Sequence, residues 1–230
     1  MRISLTKTAK PGKWAMIFGF IYLPFYVWGF PYALALLNWL LPRPLNDLQL
    51  NAIFFTVNAL AVGTICFRYL GRSARESRYS IPAILGYAAL AFVGILFLTE
   101  LITNLIYPLL PDFENLNDAG INWLIQENYL LMFLFTVILA PFTEELLFRG
   151  ILFRSVFQKS PVLAYILSMA AFSMIHLLGY DYPSLGHLGL AFVQYLPAGF
   201  FFAFAYHRSG SIYSAILAHM ANNLLAILLS

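Results

Sequence analysis

The first residues whose types and spacing could do chemistry are two adjacent glutamates followed by an arginine, at positions 144, 145 and 149. Glu145 and Arg149 are four residues apart with the acid first, so on a helix they can form an ion pair along one face. Glu144 lies about 100° further round such a helix and is left over. It could act as a base, or both glutamates could belong to a structural charge network.

A histidine at position 176 lies inside the next apolar stretch. If the two stretches form an antiparallel hairpin that turns at Ser160, Glu144 lies sixteen residues before the turn and His176 sixteen residues after it. At 1.5 Å per residue both side chains are about 24 Å from the turn. The spacing predicts that a carboxylate and an imidazole share one site, although a lone histidine in such a helix is more often a packing residue.

The third group is the pair His219 and Asn223 in the last apolar stretch. Residues four apart lie on one face of a helix, one turn from each other. The pair could bind a neighbouring helix through hydrogen bonds, or could direct two hydrogen-bond donors at one oxygen atom.

Composition places all three groups in a membrane. The chain has 230 residues, of which 61% are hydrophobic and 10% charged, against about 25% charged in soluble domains. This excludes a soluble globular protein and a disordered one. Ionisable side chains are costly inside a bilayer, so each one there is a functional hypothesis. Cys66 is the only cysteine, which excludes an intramolecular disulfide and a cysteine metal cluster.

The elements that position these residues are predicted to be membrane helices, because a span needs about 20 apolar residues. We predict an all-α polytopic membrane helix bundle in a single domain, residues 1–230. Residues 1–120 carry no motif, and residues 121–230 form the core that does. The first span contains two prolines and is either kinked and tilted or followed by an interfacial piece. Seven spans are predicted, over residues 14–41, 50–70, 81–110, 129–157, 161–180, 189–207 and 212–230.

Lysine and arginine set the orientation, because cytoplasmic loops hold an excess of them. With the N-terminus inside, twelve of the thirteen basic residues fall on the inner side and only Arg43 falls outside. The C-terminus then lies outside. We expect a multi-pass protein of a bacterial plasma membrane whose partners are the bilayer and a substrate, and we exclude nucleic acid as a partner. The outer loops hold the acids Asp47, Asp112, Glu114, Asp118, Glu127 and Asp181.

The three motifs together resemble those of the CAAX protease and bacteriocin-processing family, also called the Abi family, whose members resemble the type II CAAX prenyl endopeptidase. The motifs are Glu-Glu-x-x-x-Arg at 144–149, Phe-x-x-x-His at 172–176 and His-x-x-x-Asn at 219–223. The resemblance covers about the last hundred residues. It implies a hydrolase, an intramembrane endopeptidase whose active site opens toward the cytoplasm.

The resemblance also implies a role for each matching residue. Glu144 would be the general base that activates water, with His176 as its partner. His219 and Asn223 would stabilise the oxyanion. The supporting residues would be Glu145, Arg149 and Phe172.

Several alternatives stay open on the sequence alone. No cofactor is expected, but zinc is possible, with Glu144, His176 and His219 as ligands and water in the fourth position. A non-catalytic immunity or binding protein that keeps the protease fold is the main rival, and a proton-coupled transporter is the third reading. A peptide pheromone, a bacteriocin or a membrane protein would all fit as substrate.

Overall fold

The computed structural model describes residue 5 and residues 8–78, 80–106 and 108–229. The secondary structure of these residues is helical, with no strand among them. Six helices are long and apolar enough to cross a membrane. The expected all-α polytopic bundle is thus confirmed, and the chain is a multi-pass integral membrane protein. Arg2 and Lys7, which contribute to the predicted orientation, lie outside the described residues.

Eight helices follow one another in the described part of the chain. Several begin at a side-chain cap, which supplies an acceptor for a backbone N–H that the first turn leaves free. The clearest is the reciprocal capping box between Asn46 and Gln49. The helices are α1 Lys13–Leu40, α2 Asp47–Ser77, α3 Ile81–Ile106, α4 Leu116–Glu127, α5 Tyr129–Phe157, α6 Pro161–Ile175, α7 Leu185–Ser209 and α8 Ile212–Leu229.

The two prolines of α1 left open whether it is one kinked helix or a helix followed by an interfacial piece. It is one helix that passes through a π turn at Phe25–Gly29, between Pro24 and Pro31. A proline inside a helix removes a backbone donor, and a change of register is one way to accommodate the loss. The turn brings Tyr26 into the bundle, where its side chain is buried.

Helix α5 contains two π segments, Phe133–Leu139 and Leu146–Phe153, on either side of Ala140–Glu145. In the π register a carbonyl accepts from the residue five positions later. For Thr136 that residue is Pro141, which has no N–H. The Thr136 carbonyl is therefore free to accept from another partner, about two helical turns before Glu144.

Helix α6 is shorter than predicted. The expected span over 161–180 is a fifteen-residue helix that Ser160 caps, and it ends at Ile175. Its length is about 22 Å, against about 30 Å for the apolar core of a bilayer. Gly179 then adopts a φ of 86° as the chain turns. The structure thus has six full-length spans and one short helix where the sequence predicted seven spans, since the apolar residues 177–178 continue the hydropathy but not the helix.

Helix α4 lies where the sequence predicted only an outer connection. Asn115 caps it by accepting a hydrogen bond from the Asp118 backbone N–H at 3.2 Å. Leu124 and Ile125 pack against Met132 of α5 and Ile227 of α8. The helix therefore covers one end of the bundle, next to the motif-bearing helices.

The centre of the bundle is built from close contacts among α3, α6, α7 and α8. Lipid is as apolar as a leucine side chain, so membrane helices associate through close packing of small residues. Gly199 of α7 comes closest to the backbone of a neighbouring helix, because a Cβ there would lie 3.0 Å from the Met169 Cα of α6. The fully buried alanines of this region are Ala91, Ala164, Ala191, Ala203, Ala205, Ala215 and Ala218.

The two ends of the bundle carry opposite charge. At the end that we call the basic end, Arg72 donates to the Lys10 carbonyl at 2.8 Å and Arg154 donates to the Thr8 carbonyl at 3.2 Å. We call the opposite end the acidic end. Helix α2 begins there, α3 and α8 end there, and α4 lies across them. The distribution of basic residues predicts that the acidic end faces outside. The acidic end carries Asp47, Asp112, Glu114, Asp118, Glu127 and Asp181.

Candidate active site

The ion pair expected between Glu145 and Arg149 is present, with 3.0 Å between the guanidinium and the carboxylate, and both side chains are fully buried. A second arm of Arg149 donates to the Gly199 carbonyl at 2.9 Å. Its guanidinium carbon lies 4.5 Å from the centre of the Phe172 ring, which is a cation–π distance. Arg149 therefore ties α5 to both α6 and α7.

His219 joins this pair. Its Nδ1 lies 3.0 Å from Glu145 Oε1, the oxygen that also accepts from Arg149. Sequence reasoning missed this contact, because it placed His219 with Asn223 rather than with a glutamate. Glu145 thus fixes the orientation of the imidazole on α8 and leaves Nε2 to face away.

Glu144 points elsewhere, as the step of one helical residue predicts. It is buried and accepts a hydrogen bond from the Tyr26 hydroxyl at 3.0 Å. Tyr26 belongs to α1, 118 positions earlier in the chain. Nothing local in the sequence marks this tyrosine among the fourteen in the chain. The bond occupies one carboxylate oxygen and leaves the other for a ligand.

His176 directly follows the last residue of α6, and its Nδ1 lies 2.8 Å from the Phe172 carbonyl. A carbonyl can only accept, so Nδ1 carries the hydrogen and Nε2 has a free lone pair. The ring stacks on Tyr195 of α7 at 4.3 Å. Both contacts hold the imidazole in one orientation, with its acceptor nitrogen available.

Asn223 is held by the carbonyl that the π segment releases. Its Nδ2 donates to the Thr136 carbonyl at 2.8 Å. An amide nitrogen has two hydrogens, so the second is left for another acceptor. His219 and Asn223 therefore lie on one face of α8, as predicted, and each is fixed by a different part of α5.

A cavity of about 580 Å³ brings the four sequence-predicted residues together. It extends between α1, α2 and the turn after α6, and we call it the aromatic cavity. Its polar lining includes Glu144, His176, His219 and Asn223, and its aromatic lining includes Tyr26, Trp28, Tyr32, Phe54 and Phe55.

A second cavity, of about 590 Å³, lies on the other side of His176 and Asn223. We call it the amide cavity, after the side chains of Asn115, Asn117, Asn122, Gln194 and Asn222 that line it. Glu114 and Leu229 also line it, so it reaches the acidic end of the bundle. By the basic residues this end is outside, whereas the resemblance implied a cytoplasmic opening. Both expectations cannot hold for this cavity.

The candidate zinc ligands do not form a metal centre in the described residues, where no group of three His, Cys, Asp or Glu side chains is placed to hold a metal ion. His219 directs Nδ1 to Glu145, and Glu144 is bound by Tyr26. As they are arranged, Glu144, His176 and His219 therefore do not fit a three-ligand zinc site.

Comparison with known proteins bears on the same region. Residues 126–225 match the family described as type II CAAX prenyl endopeptidase Rce1-like. We call residues 126–225 the Rce1-like region, after the family model that they match. The resemblance predicted from the three motifs is thus confirmed for α5 to α8, while α1 to α3 lie outside the match. No solved structure matches the chain.

Two relatives match over the same length of chain. The UPF0177 protein YbdI of Lactococcus lactis subsp. lactis (strain IL1403) is 31% identical over 97 residues, which are 42% of this chain and 48% of that protein. The protein named putative membrane peptidase YdiL, of Bacillus subtilis (strain 168), is 32% identical over 100 residues, 43% of this chain and 37% of that protein. The matched segment thus spans less than half the length of either relative.

Proposed function

We propose that this protein is an intramembrane endopeptidase that hydrolyses a peptide bond with a water molecule activated by Glu144. The observation that carries the proposal is the convergence of Glu144, His176, His219 and Asn223 on one cavity from three different helices. A base, a second proton acceptor and two groups able to donate to an oxyanion are the requirements of this reaction. The Rce1-like match over the same helices and the relative named as a membrane peptidase support a protease.

The reaction begins with a water molecule between Glu144 and His176 Nε2. Glu144 accepts a proton from the water while the oxygen of that water attacks the carbon of the peptide carbonyl. The carbonyl oxygen then becomes an oxyanion. When the C–N bond breaks, Glu144 returns that proton to the leaving amine. Atoms and charge then balance, and the carboxylate is restored.

The oxyanion is stabilised by the free hydrogen of Asn223 and by His219. Nδ1 of His219 is hydrogen-bonded to Glu145. Nε2 of His219 can therefore donate in two protonation states. In one, the proton shared by Nδ1 and Glu145 lies on Glu145; in the other, the ring is an imidazolium paired with the Glu145 carboxylate. Donors placed beforehand at a developing oxyanion usually make the largest single contribution to such a reaction. Glu145 and Arg149 act through His219 and are positioning residues.

The substrate is a peptide or a segment of a membrane protein, cleaved in a bacterial plasma membrane, in peptide processing or bacteriocin immunity. We propose that the reaction needs no zinc and that prenylation is not required. The first statement rests on the arrangement of His219 and Asn223 described above. The second rests on the bacterial origin of the two relatives, since prenylated CAAX proteins are chiefly eukaryotic substrates.

A non-catalytic immunity or binding protein is the second candidate. The observation that favours it is the Glu145–Arg149–His219 network, which is buried and internally paired. Such a network stabilises a helix bundle whether or not a reaction takes place beside it.

Two substitutions in membranes test the proposal. Glu144→Gln and His176→Ala should each abolish proteolysis while protein level and membrane insertion stay normal, because each removes a proton acceptor and leaves the buried Glu145–Arg149 pair intact. Asp112→Asn, an exposed carboxylate at the acidic end, is the matched control and should retain activity. Full retention of the biological phenotype by Glu144→Gln would establish the binding protein instead.

A further inference from the structure

The two cavities meet at the candidate active site. Asn117, Ile121, Thr136, His176 and Asn223 line both of them. Their volumes are similar, about 590 and 580 Å³. A peptide bond held between His176 and Asn223 would therefore have room for chain on both of its sides.

The linings of the two cavities differ in kind. In the aromatic cavity, Trp28, Phe54 and Phe55 form an apolar wall, with Phe55 stacked on Phe135 at 5.7 Å. Trp28 is half exposed even though it contributes to this wall. Apolar walls with few polar groups select apolar side chains, because burial of their surface is the main favourable contribution.

The polar part of the amide cavity's lining includes amide side chains and carboxylates, beside apolar residues such as Ile95 and Ile227. Glu114 and Asp118 are its charged residues, and no lysine or arginine lines either cavity in the described part of the chain. The Asp118 carboxylate is set in a fixed group of partners. It accepts from the Tyr195 hydroxyl at 2.8 Å and from Asn117 at 3.4 Å.

The partners of Asp118 extend to the candidate catalytic residue His176 through Tyr195. The Tyr195 hydroxyl lies 3.0 Å from Asn115 Oδ1, and Asn115 Nδ2 donates to Gln194 at 2.9 Å. The Tyr195 ring is the one that stacks on His176. Asp118 is thus connected to the reacting centre by one side chain, and its negative charge lies beside the path of any substrate in this cavity.

We infer that the site is two-sided, and that it takes a substrate segment with apolar side chains in the aromatic cavity and a lysine or arginine in the amide cavity, next to Asp118. This inference rests on the proposed endopeptidase function and adds a substrate class to it. Carboxylates attract cations most strongly where water is partly excluded. Amide oxygens of Asn115, Asn117 and Gln194 can accept from the remaining hydrogens of the cation.

The test is cleavage profiling with synthetic peptides. The full chain, purified in lipid nanodiscs, is incubated with a library of peptides of defined sequence, and the cleaved bonds are mapped by mass spectrometry. We expect lysine or arginine to be enriched on one side of the cleaved bond and aromatic or aliphatic residues on the other. Peptides cut by the Glu144→Gln variant are subtracted as background.

Two pairs of variants assign each preference to its cavity. Asp118→Asn should reduce the preference for basic residues by about tenfold, as expected for one partly screened ion pair. Glu127→Gln is its control, since it changes the same charge on the same helix outside both cavities. Trp28→Ala should weaken the apolar preference, and Trp14→Ala is its control on the same helix.

The outcomes separate the inference from the proposed function. Cleavage with no basic preference, or a preference that Asp118→Asn leaves unchanged, would refute the two-sided site and leave the endopeptidase standing. If Glu127→Gln reduced the preference for basic residues as much as Asp118→Asn does, the two-sided site would also be refuted, because a general surface potential would then be the cause. Absence of any cleavage above the Glu144→Gln background would refute the proposed endopeptidase itself.

Discussion

The N-terminal helices α1 to α3 and the Rce1-like region contribute to the candidate site in different ways. The Rce1-like region supplies Glu144, His176, His219 and Asn223, which are the groups with reactive chemistry. The N-terminal helices carry no motif, yet α1 supplies the hydroxyl that binds Glu144. Helices α1 and α2 also form the wall of the aromatic cavity.

This difference teaches that a motif locates reactive atoms but not the groups that orient them. The reacting side chains must lie on helices whose register is fixed, so their spacing leaves a pattern in the sequence. An orienting hydroxyl or an apolar wall can come from any helix that packs nearby.

Arg149→Ala should have the largest effect, because it breaks the network inside the Rce1-like region. It leaves Glu145 fully buried with one partner fewer, and removing one member of a buried pair costs about 3–5 kcal/mol. We expect low protein levels and a lowered midpoint of thermal unfolding in detergent. Glu145→Gln should act in the same direction. Arg208→Ala, which removes an exposed arginine, should change neither; a stable Arg149→Ala protein would show that the network is dispensable for folding.

Asn223→Ala should reduce turnover by about 10²–10³, with little change in KM, since that is the usual cost of one oxyanion donor. Protein level should stay normal, and Asn104→Ala, a remote asparagine bonded to Glu100, should keep full activity. We also expect activity to resist prolonged chelation. Elemental analysis that finds about one zinc per chain, lost in His176→Ala and His219→Ala, would replace the oxyanion assignment with a metalloprotease.

Tyr26→Phe tests the contribution of the N-terminal helices directly. It removes the hydroxyl that binds Glu144 and keeps the ring, so kcat should fall about tenfold, the equivalent of one hydrogen bond. Tyr22→Phe is the control one turn earlier on α1, where the hydroxyl donates to Asn58 instead. Equal activity of the two variants would mean that α1 only packs against the site.

Single cysteines should have the smallest effect on activity, and they decide which end of the bundle faces out. In a Cys66→Ala background, Gln126→Cys marks the acidic end and Gln158→Cys the basic end; both glutamines are exposed. An impermeant thiol reagent on whole cells should label position 126 and not position 158. The reverse pattern would place the N-terminus outside and the amide cavity toward the cytoplasm.

The sequence could predict those parts of the site that depend on helical spacing. The Glu145–Arg149 pair follows from a separation of four, and the common depth of Glu144 and His176 follows from equal distances to Ser160. The contacts of Tyr26 with Glu144 and of His219 with Glu145 could not be predicted, because they depend on which helices are neighbours and how they are rotated. The end of α6 at Ile175 was not predicted, because hydropathy indicates which residues prefer lipid and does not indicate where the helical hydrogen bonds stop.

The short helix α6 has a consequence for the surrounding lipid. Its exposed face, from Val162 to Met174, is about 18 Å long, well short of the apolar thickness that the longer helices match. The bilayer beside this face must become thinner, at a cost that grows with each ångström of mismatch. Activity should therefore depend on acyl-chain length, since a thicker bilayer presses apolar chains against the turn over 176–184, which begins at His176.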